Sequence, residues 1–184
     1  HQLSDTLWKF GLGQNTGVPI YGEREGVVPN PDWLKFHKEM IWSDAYTALT
    51  AIGQGFVKAT PLQIASIAAT MGNSGKVFEP RLVTEGKIDV LLHDFSADLE
   101  VEVLETVRRS MWRYVNDEGG HGKHARVGDW VAGFSATAQT AKRDAPTNAW
   151  FMGFAPYEEP QFALAIFVEN ASSAPRVAAP IAGT

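Results

Sequence analysis

Residues 149–169 run AWFMGFAPYEEPQFALAIFVE, and this stretch decides the fold class. Ala149 to Ala155, with Trp150, Phe151 and Phe154, and Gln161 to Glu169, with Phe162, Ile166, Phe167 and Val168, read as strands. Between them lies Pro156-Tyr157-Glu158-Glu159-Pro160, a connection of hairpin length. A third strand-like stretch, Trp130 to Thr140, precedes them. Consecutive strands joined by short turns imply an antiparallel sheet.

Helical periodicity lies upstream. Thr60 is a good N-cap, Pro61 suits the first helical position, and Leu62, Ile64, Ala65, Ile67, Ala68 and Ala69 make a helix apolar nearly all round, hence buried. Gly72-Asn73-Ser74-Gly75 ends it. A second helix is expected from about Asp98 to Asn116, with Ser96 as N-cap, early acidic residues, and an apolar stripe of Leu99, Val103, Val107, Met111 and Tyr114 or Val115. A short helix carries Leu3, Leu7 and Phe10. Residues 14–32 read as an extended surface loop, and Trp33, Phe36 and Trp42 as anchors pinning it to a core. Helices preceding an antiparallel sheet make the chain α+β.

Composition narrows the function. The chain has 184 residues, 45% of them hydrophobic and 20% charged, which argues against disorder. A net charge of −5 gives no global reason to bind a phosphate backbone, so nucleic acid is not an expected partner. The absence of cysteine removes disulfides, thiolate metal sites and a cysteine nucleophile. No apolar run approaches the roughly 20 residues of a membrane helix.

Local motifs decide little. Gly11-Leu12-Gly13-Gln14-Asn15-Thr16-Gly17 lacks the strand, helix and Gly-Lys-Ser/Thr ending of a phosphate loop, and reads as a helix stop. His121 and His124 flank Lys123 in a glycine-rich loop, a weak platform for a metal, and neither metal nor cofactor is expected. Glu23, Glu25, Glu158 and Glu159 read as solvated turn residues. His93-Asp94 has no serine linked to it, and no Gly-x-Ser-x-Gly elbow occurs.

Four blocks taken in order say more. They are Phe10 to Gly17 continuing through Glu23, Gly26-Val27-Val28-Pro29 and Trp33; Ala51-Ile52-Gly53-Gln54-Gly55-Phe56-Val57-Lys58-Ala59-Thr60-Pro61-Leu62-Gln63-Ile64-Ala65; Val131-Ala132-Gly133-Phe134-Ser135-Ala136-Thr137-Ala138-Gln139-Thr140; and Ala149 to Pro156, followed by a strand ending Val168-Glu169-Asn170. Together they resemble the C-terminal half of the transpeptidase domain of class B penicillin-binding proteins. The resemblance implies the serine transpeptidase/β-lactamase-like fold, peptidoglycan stem peptides and β-lactams as ligands, cell-wall synthesis proteins as partners, and an extracytoplasmic site tethered to the membrane in the parent protein.

The family's machinery is Ser-x-x-Lys bearing the acylated nucleophile, Ser-x-Asn, and Lys-Thr/Ser-Gly on an edge strand. No serine here has lysine three residues on or asparagine two residues on. The expectation is that residues 1–184 are the C-terminal portion of such a domain, with the nucleophile-bearing part outside and no catalytic residue within. The nucleophile helix, the first strands and a closing helix after Ala178 to Ile181 are expected to be missing. A piece without those layers should expose apolar faces and associate with itself or with the missing portion.

The strand motif does have its position here. The family's Lys-Thr-Gly-Thr corresponds to Phe134-Ser135-Ala136-Thr137, the expected substrate-binding residues. Phe134 removes a fixed positive charge, a loss of about 2–4 kcal/mol where a charged hydrogen bond is at stake. Ala136 puts a methyl where backbone and ligand approach closely. These departures leave two readings, part of an active transpeptidase or a non-catalytic relative serving as a scaffold in cell-wall synthesis.

Overall fold

The computed structural model describes residues 2–83, 86, 88–140 and 145–184. Among these residues six α-helices and five strands follow in the order α1 (Gln2–Lys9), α2 (Pro31–Lys38), α3 (Asp44–Ala51), α4 (Pro61–Gly72), β1 (Lys76–Phe78), β2 (Leu91–Asp94), α5 (Val101–Asn116), β3 (Ala132–Ala138), β4 (Asn148–Ala155), β5 (Phe162–Val168) and α6 (Ala174–Ala182). The expected strands are present as one antiparallel sheet in the order β3-β4-β5, with Phe134 opposite Met152 and Trp150 opposite Phe167. The fold is α+β. No helix among the described residues is long and apolar enough to cross a membrane.

Alternation along β4 divides the core. Ala149 and Phe151 point to one face, where they meet Val115, Ala125, Val131 and the small residues Ala174, Ala178 and Ala179 of α6. Phe154 and Ala132 point to the other face, against Met71 of α4, Leu104 and Met111 of α5, Val77 and Phe95. The sheet is therefore a middle layer. Gly133, opposite Gly153, makes room for the Phe151 ring: a Cβ on Gly133 would lie 2.4 Å from Phe151 Cζ.

The buried helix α4 starts where expected. Thr60 accepts from Gln63 N (3.2 Å) and Gln63 Oε1 accepts from Thr60 N (2.9 Å), a complete capping box. Gln63 does more than cap. It is 1% exposed, and its Nε2 donates to the carbonyls of Gln14 (2.8 Å) and Glu25 (2.9 Å) and, at longer range, of Gly11 (3.4 Å). The loop of residues 14–30 is thus tied down rather than draped over the surface: Thr16, Val18, Val28 and Pro29 are buried, and Ser4 Oγ donates to Pro29 O. Where the loop crosses Lys58, Gly26 has φ +70°, and a Cβ there would lie 2.3 Å from Lys58 O.

Several expectations need correcting. Phe36 is 83% exposed, and the anchor of its segment is the fully buried Leu34 of α2, a helix capped by Asn30. The helix expected from Asp98 begins at Val101, and Ser96 does not cap it. The Asp94 side chain instead accepts from Ser96 N and closes a 3₁₀ turn that drives Phe95 into the core. The buried face of α5 is Leu104, Arg108, Met111 and Val115, while Val103 and Val107 stay exposed. The stripe is rotated by one residue because Arg108 takes a core position. Its guanidinium donates to Met71 O (2.6 Å) and Gly72 O (2.8 Å) at the carboxyl end of α4 and to Tyr157 O (3.1 Å). A cation at a helix C-terminus is favourable, so charge and hydrogen bonding outweigh the hydrophobic pattern. Finally, Ala178 to Ile181 are themselves helical within α6, whose alanines allow close approach to the sheet. Helix α3 and the short pair β1–β2 carry no periodic signal long enough to read.

Replacing Gln63 by alanine removes half the capping box and leaves buried carbonyls unpaired. We expect a loss of about 2–4 kcal/mol in urea unfolding of the chain, with Gln63→Glu no better, since a carboxylate cannot donate to three carbonyls.

Candidate functional site

Phe134, Ser135, Ala136 and Thr137 lie together on β3, an edge strand whose only strand neighbour among the described residues is β4. Alternation sends them to different places. Phe134 points to the α4–α5 face and is 48% exposed, over an open apolar groove of about 560 Å³ that it shares with Phe10, Ile67, Val107, Tyr114 and Met152. Ser135 points to the α6 face, is buried, and its hydroxyl pairs with Tyr114 Oη at 2.5 Å. Ala136 is exposed. Thr137 is exposed, and its Oγ1 accepts from Ala174 N (3.2 Å), which fastens the start of α6 to the strand.

Two residues that sequence reasoning did not assign to the site shape it. Tyr114, at the end of α5, packs its ring against Phe134 at a tilt of 40° with centroids 4.7 Å apart while its hydroxyl holds Ser135. Gln54 donates from Nε2 to Thr137 O (3.3 Å) and accepts at Oε1 from Gln139 N (3.3 Å). Its side-chain amide thus imitates a neighbouring strand along the outer edge of β3. The N–H and C=O of one strand residue point the same way, so the Thr137 amide also faces that outer edge. Gln54 stands in the Gly53-Gln54-Gly55 block, so its sequence signal was present; only its destination, more than eighty residues on, was not readable.

The other candidates separate from β3. Glu23 is not a free surface carboxylate: it accepts from the backbone and hydroxyl of Thr16 and helps fold the loop. Glu158 and Glu159 sit at the β4–β5 turn beside Trp112 and Trp130. His93 and Asp94 form no triad. His93 Nε2 and Lys9 Nζ both lie 2.7 Å from Asp98, and Asp94 is engaged with Ser96. Lys9, then His93, hold the Asp98 carboxyl below its ordinary range. Among the described residues no group of three or more His, Cys, Asp or Glu could hold a metal.

The family model for the penicillin-binding protein transpeptidase domain matches residues 1–184. The peptidoglycan D,D-transpeptidase MrdA of Haemophilus influenzae is 32% identical over 203 residues, covering 98% of this chain and 31% of that protein. The crystal structure of Pseudomonas aeruginosa PBP2 in complex with WCK 5153 superposes with a TM-score of 0.83 at 29% identity, covering 97% of this chain and 41% of the other. PBP2 from Helicobacter pylori, solved in complex with MreC, gives a TM-score of 0.82 at 28% identity over 97% of this chain and 34% of its own. The chain spans about a third of the length of the curated relatives it matches.

Two outcomes follow from the site. Tyr114→Phe strands the Ser135 hydroxyl in the core and costs about 1–2 kcal/mol in urea unfolding, whereas adding Ser135→Ala restores most of the loss, since removing both partners is close to neutral. NMR titration is expected to find the Asp98 midpoint below the ordinary aspartate value, and Lys9→Met to move it up. The associated stability is present above the unfolded-state value and is lost as pH falls through the depressed midpoint. Sheet order, the edge strand bearing residues 134–137 and the match along the full chain converge: this chain belongs to the penicillin-binding protein transpeptidase domain family.

Proposed function

We propose that residues 1–184 form the C-terminal portion of a peptidoglycan D,D-transpeptidase domain, and that β3 is the strand edge on which its acyl-donor peptide and β-lactams lie. The observation that carries this reading is the outer edge of β3, which no strand among the described residues pairs and which Gln54 engages at Thr137 O and Gln139 N; it holds residues 134–137 beside an open groove within a chain matched throughout by the family model. An extended peptide added to such an edge gains main-chain hydrogen bonds whatever its side chains. With Ser135 turned into the core, the chain's own contribution is made by backbone. The outward amide of Thr137 serves as a donor to the oxyanion that develops when a serine attacks the peptide carbonyl.

The serine and the amine that takes its proton belong to the portion outside this chain, since a hydroxyl is a poor nucleophile without such a base. That portion covers the Phe134 groove. Left uncovered, the groove, together with Val103, Val107 and Phe162, favours self-association. The parent acts outside the cytoplasmic membrane, with stem peptides as substrate and cell-wall assembly proteins as partners. The complex of the Helicobacter pylori relative with MreC supports the last point.

Phe134 favours a second reading, a domain that keeps the fold and has lost turnover, because no phenylalanine supplies the electrostatic attraction of a lysine to a carboxylate. One experiment addresses both. Fluorescent penicillin is expected to leave the 184-residue chain unlabelled and to label the complete domain covalently, with competition by unlabelled antibiotic. A covalent adduct on the chain alone sinks the assignment of the nucleophile to the other portion. A complete domain that neither labels nor turns over stem peptides establishes the scaffold reading instead.

A further inference from the structure

The two histidines set aside as metal ligands lie in a different kind of site. A concavity of about 320 Å³ opens between the loop after α5 and the first turn of α6, lined by Glu118, His121, Lys123, His124, Pro175 and Arg176. Two fixed positive charges and two imidazoles face one carboxylate, in a chain whose net charge is −5. Among the described residues no ion pair engages Lys123, His124, Arg176 or Glu118. Such a set is wrong for a cation and right for an anion: lysine and arginine only donate, and imidazoles add N–H groups.

Its position ties it to β3. One wall, the start of α6, is fastened to the strand through Ala174 N and Thr137 Oγ1. The other wall reaches it through Tyr114, whose ring lies 6.3 Å from that of His121 and 4.7 Å from that of Phe134, and whose hydroxyl holds Ser135. The strand that carries a phenylalanine where a cation would hold a carboxylate therefore has a basic concavity at its flank.

We propose that this concavity binds the carboxylate of the peptide lying on β3, supplying from Lys123 and Arg176 the charge that position 134 lacks. The inference rests on the transpeptidase reading above, and its test is separate from that reading. The 15N-labelled chain is titrated with N-acetyl-D-alanyl-D-alanine, with the C-terminal amide of the same dipeptide, and with inorganic phosphate, while backbone amides are followed by NMR.

The acid is expected to shift the amides of residues 118–124 and Arg176, with half-saturation at least about tenfold lower than the amide. Lys123→Gln with Arg176→Gln should weaken the acid about tenfold or more, with the amides of the core residues Ala149 and Phe151 unmoved by the substitutions as a sign of an intact fold. Glu118→Gln, which removes the opposing charge, should tighten it. Equal binding of acid and amide, shifts that spare the loop and Arg176, or phosphate binding as tightly as the acid would each overturn the proposal. Penicillin labelling of the complete domain is read independently, so the pocket can fail while the transpeptidase reading stands, and the reverse.

Discussion

The side-chain amide of Gln63 is the constraint on which the rest of this structure depends. One nearly inaccessible group closes the capping box of α4 and at the same time holds carbonyls from two distant parts of the preceding loop. Buried carbonyls must find donors, and a loop outside any helix or sheet ladder has no regular partner for them. A neutral amide is the right group, because it accepts from the helix end with one atom and donates outward with the other. The helix so anchored carries the face on which β4 and β5 lie, and the loop so anchored brings α1 and Phe10 against the same core.

Arg108 does the corresponding work at the other end of α4. It joins the carboxyl end of that helix to α5 and to the β4–β5 turn, and stacks over Phe154 and Tyr157. Placing a cation in the seam turns α5 so that Val103 and Val107 face outward and Tyr114 falls beside β3. The open groove and the clasp on Ser135 both follow from that rotation. A strand edge whose Thr137 carbonyl and following Gln139 amide are held by Gln54, with Tyr114 beside it, is a pre-ordered surface, the kind on which an extended ligand binds without first ordering the protein.

Much of the fold was legible beforehand, for reasons that differ by element. Thr60, Pro61 and the all-round apolar run announce α4 because capping and burial act within a few residues. The β3–β5 stretches were legible through composition and short connections. The starting point and buried face of α5 were not legible, since Asp94 captures Ser96 and Arg108 answers to carbonyls 36 and 37 residues earlier. Helix α6 was not legible, because Pro175 and Pro180 interrupt its pattern and its buried face is set by Ala174, Ala178 and Ala179 packing on the sheet.

For the site, the amino-acid sequence by itself determined the family resemblance, the absence of a serine nucleophile motif in these residues and the loss of charge at Phe134, because these are matters of residue identity and order. Only the tertiary structure decided what the four strand residues do. The period of two along β3 sends Phe134 to an open groove and Ser135 into the core, and long-range side chains settle the rest: Gln54 on the outer edge, Tyr114 between Phe134 and His121, and the basic loop against α6. Strand alternation is local, but which face is filled depends on what packs there, and that is known only once the helices have docked.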